Sequence, residues 1–258
     1  MTYAIIEGII IQRFGRQSMT FSLIDQHYLI DLDCQGYLYE HQETGAQVFY
    51  IKNDDPNKAF TIGFKTPPYS DNGICHIIEH SVLNGSVKYP SKEPFVELIK
   101  GSLNTFVNAM TFDDKTIYPV ASTNAVDFKN LMSVYLDAVF EPNFRTDPQV
   151  LAQEGWHYHL ESAEDNLIYK GVVFNEMKGA LASAEQQLNR KINQALYPNT
   201  IYAFESGGTP AAIPSLTQEE FVDFHKKYYH PSNSLTMLYG DLNLEQTLDL
   251  LGEYFDRY

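Results

Sequence analysis

Two histidines and a glutamate within five residues are the part of this sequence best suited to chemistry. His76, Glu79 and His80 occur in the order His-x-x-Glu-His. On a helix, positions i and i+4 lie on one face, so both imidazoles can bind one metal ion. Glu79 borders that face and can reach a water molecule without binding the metal. This order is the inverted form of a zinc-site motif, and it arises by chance about 0.02 times in such a chain. The alternative is that both histidines are surface residues of an ordinary helix.

A third ligand must come from elsewhere in the chain. A catalytic zinc site usually has three protein ligands and one open position, so we expect a distant carboxylate or histidine. Glu176 is the best candidate, because Val172, Val173 and Ala180 place its carboxylate on or beside an apolar helix face. A carboxylate there is costly unless a cation is its partner. From spacing alone, a rim glutamate with its charge in water is an equally good interpretation.

The two cysteines are interpreted as reduced structural residues. Cys34 and Cys75 are far apart and form no Cys-x-x-Cys pair. On a helix, Cys75 points about 100° away from His76, so it is expected to be a small buried residue and no metal ligand. Reduced thiols are typical of a cytoplasmic protein.

The elements that position these residues are mainly strands in the first half of the chain and helices in the second. Strands are predicted over residues 27–33, 47–52, 60–64, 104–110, 116–121 and 235–239. Helices are predicted over residues 74–83, 92–100, 127–140, 149–160, 171–196, 218–229 and 244–256. Asp71 or Asn72 is the expected cap of the helix that carries the motif, and Asn84-Gly85 is its stop. Strands in pairs and helices in runs indicate an α+β fold, with a mostly antiparallel sheet packed against helices.

One predicted helix shows a particularly regular apolar stripe. Within residues 127–140, the apolar residues recur at i, i+3 and i+4, which marks a buried face. They are Phe128, Leu131, Met132, Tyr135 and Val139.

Composition limits the class of protein. The chain has 258 residues, of which 44% are hydrophobic and 20% charged, and its net charge is −15. We expect one globular domain over residues 1–258. A surface this acidic argues against nucleic acid and anionic membranes as partners. No run of apolar residues approaches the roughly 18 of a membrane helix. Met1–Gln17 lacks the basic, then apolar, then small-residue order of a signal peptide.

Several longer segments resemble the pitrilysin/insulinase family of zinc peptidases, and within it the presequence-protease branch. The motif segment HIIEHSVLNG (76–85) and the Glu176 segment YKGVVFNEMKG (169–179) both match. So do KYPSKEPFVEL (88–98), KGSLNTF (100–106), YPVAS (118–122), QEGWHY (153–158) and HKKYYHPSN (225–233). Together these segments cover nearly the whole chain after its first strands.

The resemblance implies that His76, His80 and Glu176 bind Zn²⁺ and that Glu79 is the catalytic base for peptide hydrolysis. It also implies that Leu103–Phe106 is an edge strand to which a peptide substrate adds as an extra strand, with Asn104 contacting the peptide backbone. The residues themselves, Leu103, Asn104, Thr105 and Phe106, equally suit an ordinary strand with a buried Phe106. His157 and His159 are not ligands in the matching family segment, so they are interpreted as structural.

Family members in this branch are much longer than this chain. They contain four related α+β domains in two halves that close around the substrate. By resemblance, this chain is the first domain, its partner is the C-terminal half, and it hydrolyses peptides poorly alone. The acidic charge would suit a chamber that collects basic peptides. Two alternatives stay open: a non-catalytic scaffold subunit of the same fold, and a zinc enzyme with another substrate.

Overall fold

The computed structural model describes residues 20–91 and 94–258. The strands are β1 (Phe21–Leu29), β2 (Cys34–His41), β3 (Gln47–Lys52), β4 (Lys58–Lys65), β5 (Asn104–Val107), β6 (Met110–Thr111), β7 (Lys115–Ser122), β8 (His157–His159), β9 (Ile168–Lys170) and β10 (Ser234–Tyr239). The helices are α1 (Ile74–Val82), α2 (Pro94–Gly101), α3 (Ala125–Phe140), α4 (Pro148–Glu154), α5 (Val172–Ala180), α6 (Ala184–Leu196), α7 (Gln218–Tyr228) and α8 (Leu244–Phe255).

Eight strands form one twisted sheet in the order β1-β2-β3-β10-β4-β7-β5, with β6 also paired to β7. Every pairing in this sheet is antiparallel except that of β10 with β3. A separate antiparallel hairpin joins β8 to β9. The predicted α+β class with a mostly antiparallel sheet is therefore confirmed.

The helices cover one face of the sheet and share its core. The alternation on β10 shows this, because Leu238 is fully buried whereas Leu235 and Met237 are 47% and 42% exposed. All five residues of the predicted stripe on α3 are buried. One continuous apolar cluster joins the sheet to α1, α3, α5, α7 and α8. The elements that carry the candidate ligands are thus anchored in the main core.

Four element predictions were wrong in detail. The strand predicted over residues 104–110 is two strands, β5 and β6, with Asn108 and Ala109 between them. The strand predicted over residues 27–33 is the end of β1 followed by a 3-10 turn at Ile30–Leu32, where Asp33 adopts φ 47°. The helix predicted over 149–160 ends at Glu154, and the residues after Trp156 form β8 instead. The helix predicted over 171–196 is two helices, α5 and α6, separated by Leu181–Ser183. The pairing of β8 with β9 accounts for the early end of the helix predicted over 149–160, because tertiary contacts override a local preference.

Some predictions fall on residues outside the described part. The signal-peptide prediction for Met1–Gln17 lies there, as do residues 92 and 93 of the second predicted helix. Within the described residues, no helix combines the length and the apolar character needed to cross a membrane.

Candidate metal centre

Helix α1 places His76, Glu79 and His80 because its other face is apolar. Its core residues, at helical spacing, are Ile74, Ile77, Ile78 and Val82, each no more than 1% exposed. The predicted cap, Asp71 or Asn72, is wrong, because Gly73 with φ 71° occupies the N-cap position. Asn72 lies one residue earlier, and its side chain accepts a hydrogen bond from the Ile74 N–H at 3.2 Å. The predicted stop is present, since Gly85 has φ 97°. The core face thus fixes the rotation of α1 and turns the histidines to the other side.

Glu176 approaches both histidines from α5. Its Oε2 lies 3.8 Å from the His76 Nε2 and 3.6 Å from the His80 Nε2. These three side chains each offer a donor atom within 4.8 Å of the other two. Among residues 20–91 and 94–258, this is the one group of three such side chains that could hold a metal ion. The structure therefore brings together the three residues that the sequence separates by up to 100 positions.

The burial argument for Glu176 is wrong, although the residue is in the expected place. Its side chain is 51% exposed, so its charge has water available and burial alone does not demand a cation. The buried residues of α5 are Val173, Phe174 and Met177, which lie on the side toward the core. What distinguishes Glu176 from an ordinary rim glutamate is the convergence of its carboxylate with two imidazoles.

The outer nitrogens of both histidines are already occupied. The Nδ1 of His76 donates to the Gly207 carbonyl at 3.3 Å, because a carbonyl oxygen can only accept. The Nδ1 of His80 lies 3.3 Å from the Glu154 carboxylate, an oxygen that also accepts. Each neutral ring then presents an unprotonated Nε2 toward Glu176. Metal-binding histidines are held in this tautomer and orientation by such outer partners.

The electrostatics of the site centre on His80 and Glu154. Burial by itself lowers the pKa of His80, but the hydrogen bond to Glu154 and the charges of Glu79, Glu154 and Glu176 outweigh it and raise that pKa. Burial also raises the pKa of the Glu154 carboxyl, but hydrogen bonds from His80 and Gln153 lower it overall. The Glu154 side chain is only 7% exposed. This surplus of negative charge favours a cation at the inner nitrogens.

The donor set fits zinc. Two imidazole nitrogens and one carboxylate are a ligand set typical of catalytic zinc sites, which leave a fourth position open. Ligand atoms bound tetrahedrally at zinc lie about 3.3 Å apart. The 3.6 and 3.8 Å separations need only a few tenths of an ångström of adjustment. His76, His80 and Glu176 are therefore the residues that would hold the ion.

Glu79 lies in the wall of a cavity beside these ligands. The residue is 8% exposed, and the cavity has a volume of about 400 Å³. His80 shares the wall with Glu79, and the apolar part of the wall comes from Leu83, Phe95, Val96, Ala109 and Val172. A carboxylate there can meet both a water molecule and a bound substrate. The predicted position of the base is consistent with this geometry.

The predicted substrate segment lies at the edge of the sheet. Among the described strands, β5 pairs with β7 alone, and Leu103 and Phe106 are 64% and 47% exposed. The alternative of a buried Phe106 is therefore wrong. Asn104 donates from Nδ2 to the Ser102 Oγ at 2.6 Å, and the Thr105 hydroxyl donates to the Asn57 Oδ1 at 2.6 Å. Asn104 thus has a local partner, while the outer backbone edge of β5 faces away from β7.

Cys75 is a buried structural residue, as its helix position predicts. Its thiol donates to the Thr66 carbonyl at 3.2 Å, and burial raises the thiol pKa to about 12. Both Cys34 and Cys75 are free and buried. Neither belongs to the metal-ligating group.

Sequence reasoning missed the supporting side chains. Glu154 occurs in a matching segment, but nothing in its spacing links it to His80, 74 residues earlier. Asn108 and Ala109 follow β5 directly and line the same cavity as Glu79. Their position after an edge strand beside the motif is the one signal that could have pointed to them.

Two family models match the sequence of this chain. A sequence model described as Insulinase (Peptidase family M16) matches residues 62–195, and one described as Peptidase M16 inactive domain matches residues 215–258. All four candidate residues of the metal centre lie within the first match.

Individual relatives are longer than this chain. Protein HypA of Clostridium perfringens is 56% identical over 235 residues, covering 91% of this chain and 24% of HypA. Presequence protease 1, chloroplastic/mitochondrial, of Arabidopsis thaliana is 49% identical over 242 residues, covering 94% of this chain and 22% of that protease. The crystal structure of pitrilysin has the same fold, with a TM-score of 0.70 at 17% identity over 92% of this chain and 24% of pitrilysin. The chain thus spans less than a quarter of each relative's length.

Proposed function

Because the chain belongs to the insulinase family, peptidase family M16, we propose that it carries the catalytic centre of a zinc-dependent endopeptidase similar to the presequence proteases. In this proposal His76, His80 and Glu176 bind Zn²⁺, and Glu79 is the general base. The single observation that carries the proposal is the convergence of the two Nε2 atoms on the Glu176 carboxylate, with both Nδ1 atoms occupied.

The chemistry divides between the ion and the side chains. Bound zinc would lower the pKa of water to about 7 and polarise a peptide carbonyl. Glu79 accepts the proton of the attacking water and donates it to the leaving amine. Its place in the cavity wall beside His80 keeps it within reach of both. Glu154 accepts the hydrogen bond from the Nδ1 of His80 and so directs the Nε2 of the neutral ring inward.

The proposed substrates are extended, unfolded peptides. A peptide adding to the edge of β5 that no described strand covers would gain main-chain hydrogen bonds. Strand β5 continues directly into Asn108 and Ala109 of the cavity wall. The apolar lining of the cavity favours an apolar side chain next to the cleaved bond. The net charge of −15 favours basic peptides through long-range attraction. Nucleic acid and membranes stay outside the proposal.

The exposed apolar face of helix α6 is the observation that supports a partner for this chain, namely the rest of a longer polypeptide. None of its residues is buried, and Leu188, Ile192 and Leu196 lie on one face at i, i+4 and i+8 with exposures of 60%, 42% and 64%. Arg190, on the opposite face, contacts the body of the chain through Asp71. An apolar face this exposed is typical of an interface. We assign this face to contact with the remaining part of a polypeptide as long as the relatives. Without that part, the chain would hydrolyse peptides poorly.

Localisation in the cytoplasm is part of the same proposal. Its support is the pair of buried, free cysteines, which suits a reducing compartment.

The function is tested by metal analysis and peptide cleavage on the protein as its gene encodes it. We expect about one zinc per chain, cleavage of unfolded peptides, loss of cleavage with a chelator, and recovery when Zn²⁺ is returned. Stoichiometric zinc without cleavage would favour the non-catalytic scaffold. Chelator-resistant cleavage would contradict the zinc centre itself.

A further inference from the structure

We propose that Asp71 is a positioning residue for the metal ligand His76. It acts through the segment Glu205–Thr209, called here the supporting loop, whose Gly207 carbonyl accepts the hydrogen bond from the Nδ1 of His76. The inference rests on the proposed zinc centre, and it adds a residue that makes no contact with the ion. Metal-ligating histidines depend on such outer partners for orientation and basicity.

Asp71 binds the supporting loop at both of its ends. Its Oδ1 accepts from the Glu205 N–H at 2.8 Å, and its backbone carbonyl accepts from the Thr209 N–H at 2.8 Å. The Gly207 carbonyl lies midway between these two anchor points. A single residue just before α1 therefore fixes the position of the carbonyl that orients His76 on α1.

Arg190 holds the second oxygen of Asp71. Its Nη2 donates to the Asp71 Oδ2 at 2.6 Å, and both side chains are 23% exposed. Arg190 lies on α6, which follows the Glu176-bearing α5 after a three-residue break. The ion pair thus joins the start of α1 to the region directly after α5. A partly buried carboxylate–guanidinium pair with short contacts resists rearrangement more than a surface pair does.

The supporting loop also packs tightly against both ligand-bearing helices. A Cβ at Gly208, which has φ 88°, would lie 2.6 Å from the Gly73 Cα at the start of α1. A Cβ at Gly207 would lie 2.8 Å from the Cε of Met177, the neighbour of Glu176 on α5. Close packing and the bonds to Asp71 therefore both restrict movement of the supporting loop. The position of the Gly207 carbonyl is therefore fixed relative to both α1, which carries His76, and α5, which carries Glu176.

The consequence is specific to the metal. Without the Asp71 side chain, the supporting loop loses its anchor at the Glu205 N–H, and Arg190 loses its partner. The Gly207 carbonyl is then a less fixed acceptor for the outer nitrogen of His76. Loss of an outer partner of a metal-binding histidine typically weakens metal binding or activity by roughly 10- to 100-fold. A role in folding alone would leave the affinity for the metal and the geometry at the metal unchanged.

The test measures metal affinity in the protein as its gene encodes it. The variants are Asp71→Ala, which removes both side-chain bonds, Asp71→Asn, which keeps one oxygen acceptor, and Arg190→Gln. The matched control is Asp223→Asn, because Asp223 pairs with Lys226 on α7 with both side chains more than 60% exposed. Readouts are the Zn²⁺ dissociation constant by chelator competition, the visible spectrum of bound Co²⁺, and circular dichroism for folding.

We expect Asp71→Ala to weaken Zn²⁺ binding by roughly 10- to 100-fold and to alter the Co²⁺ spectrum. Asp71→Asn and Arg190→Gln should show a smaller loss in the same direction, and Asp223→Asn none. A folded Asp71→Ala protein with unchanged Zn²⁺ affinity and Co²⁺ spectrum overturns the inference. If that variant does not fold, unchanged affinity in both milder variants overturns it. An unaltered protein that binds no zinc would instead remove the proposed metal centre, and the inference with it.

Discussion

Two pairs of histidines in this chain look similar in sequence and differ in their surroundings. His76 and His80 share one face of a helix, whereas His157 and His159 share one face of the strand β8. In the first pair both outer nitrogens are occupied and both inner nitrogens point to Glu176. In the second pair the ring centroids are 6.1 Å apart.

The partners of the second pair are local. The Nδ1 of His157 donates to the Ala152 carbonyl at 2.6 Å. The Nε2 of His159 lies 3.2 Å from Glu161, whose carboxylate also binds Lys170. Spacing therefore brings two imidazoles together in both regions, but a metal site also needs a third ligand and outer partners that aim the rings. The comparison teaches that convergence, and not the histidine pair, identifies the site.

The largest expected effect is on peptide cleavage, and it distinguishes Glu79, beside the first histidine pair, from Glu161, beside the second. Glu79→Gln should lower kcat/KM for peptide cleavage by at least roughly 10²- to 10⁴-fold, the usual contribution of a general base, and leave zinc bound. Glu161→Gln is the matched control beside the second pair, and it should leave kcat/KM unchanged. Cleavage kinetics and zinc content are the measurements. Full activity in the Glu79→Gln protein would sink its role as base.

The next prediction concerns replacement of one histidine in each pair by alanine. His80→Ala removes a proposed ligand, so Zn²⁺ affinity should fall by more than the roughly 100-fold that loss of an outer partner produces. His159→Ala should leave the Zn²⁺ dissociation constant unchanged, because no described carboxylate completes a site with it. Chelator competition measures both. Equal losses in the two variants would show that the pairs are equivalent and contradict the comparison.

The features that sequence could predict are those set by local periodicity. The stripe on α3 repeats at helical spacing, and all of its residues are buried as expected. Once α1 is a helix with an apolar face, the common direction of His76 and His80 follows from geometry. The mostly antiparallel sheet follows in the same way from short strands with turn residues between them.

The features that sequence could not predict depend on contacts between distant residues. The break at Leu181–Ser183 divides residues 171–196 into α5 and α6. Its local signal is Ser183 followed by Gln186, a helix-start pattern that the prediction of one continuous helix overlooks. The spacing of Glu176 fits a metal ligand and a rim residue equally well. Only the packing of α5 beside α1 brings its carboxylate to His76 and His80. Glu154 lies 74 residues from His80, and Arg190 lies 119 residues from Asp71. Such pairs form only when the chain folds, because no helix or strand period connects them.

A smaller effect is expected from the outer partner of His80. Glu154→Gln keeps the size of the side chain and one oxygen acceptor but removes its charge, so the hydrogen bond that orients the ring of His80 becomes weaker. We expect Zn²⁺ affinity to fall by roughly 10- to 100-fold. Glu161→Gln again serves as control, because Glu161 has the corresponding place beside His159 but no proposed ligand to orient. An unchanged dissociation constant for Glu154→Gln would remove Glu154 from the metal centre.

The smallest effect concerns stability, and it extends the comparison to a histidine that is buried without a carboxylate. Burial and the charge of Arg145 hold the pKa of His225 well below its ordinary value, although its bond to the Val139 carbonyl opposes this. The folded chain therefore keeps His225 neutral, whereas the unfolded chain binds a proton below about pH 6.5. Because the unfolded state binds more protons, the free energy of unfolding should fall as pH drops below that value, by at most about 1.4 kcal/mol per pH unit from this residue. His225→Gln keeps a donor but cannot titrate, so its unfolding free energy, measured with urea from pH 7 to 5, should fall less steeply. Parallel pH profiles for the two proteins would show that burial of a neutral His225 contributes nothing to the acid sensitivity.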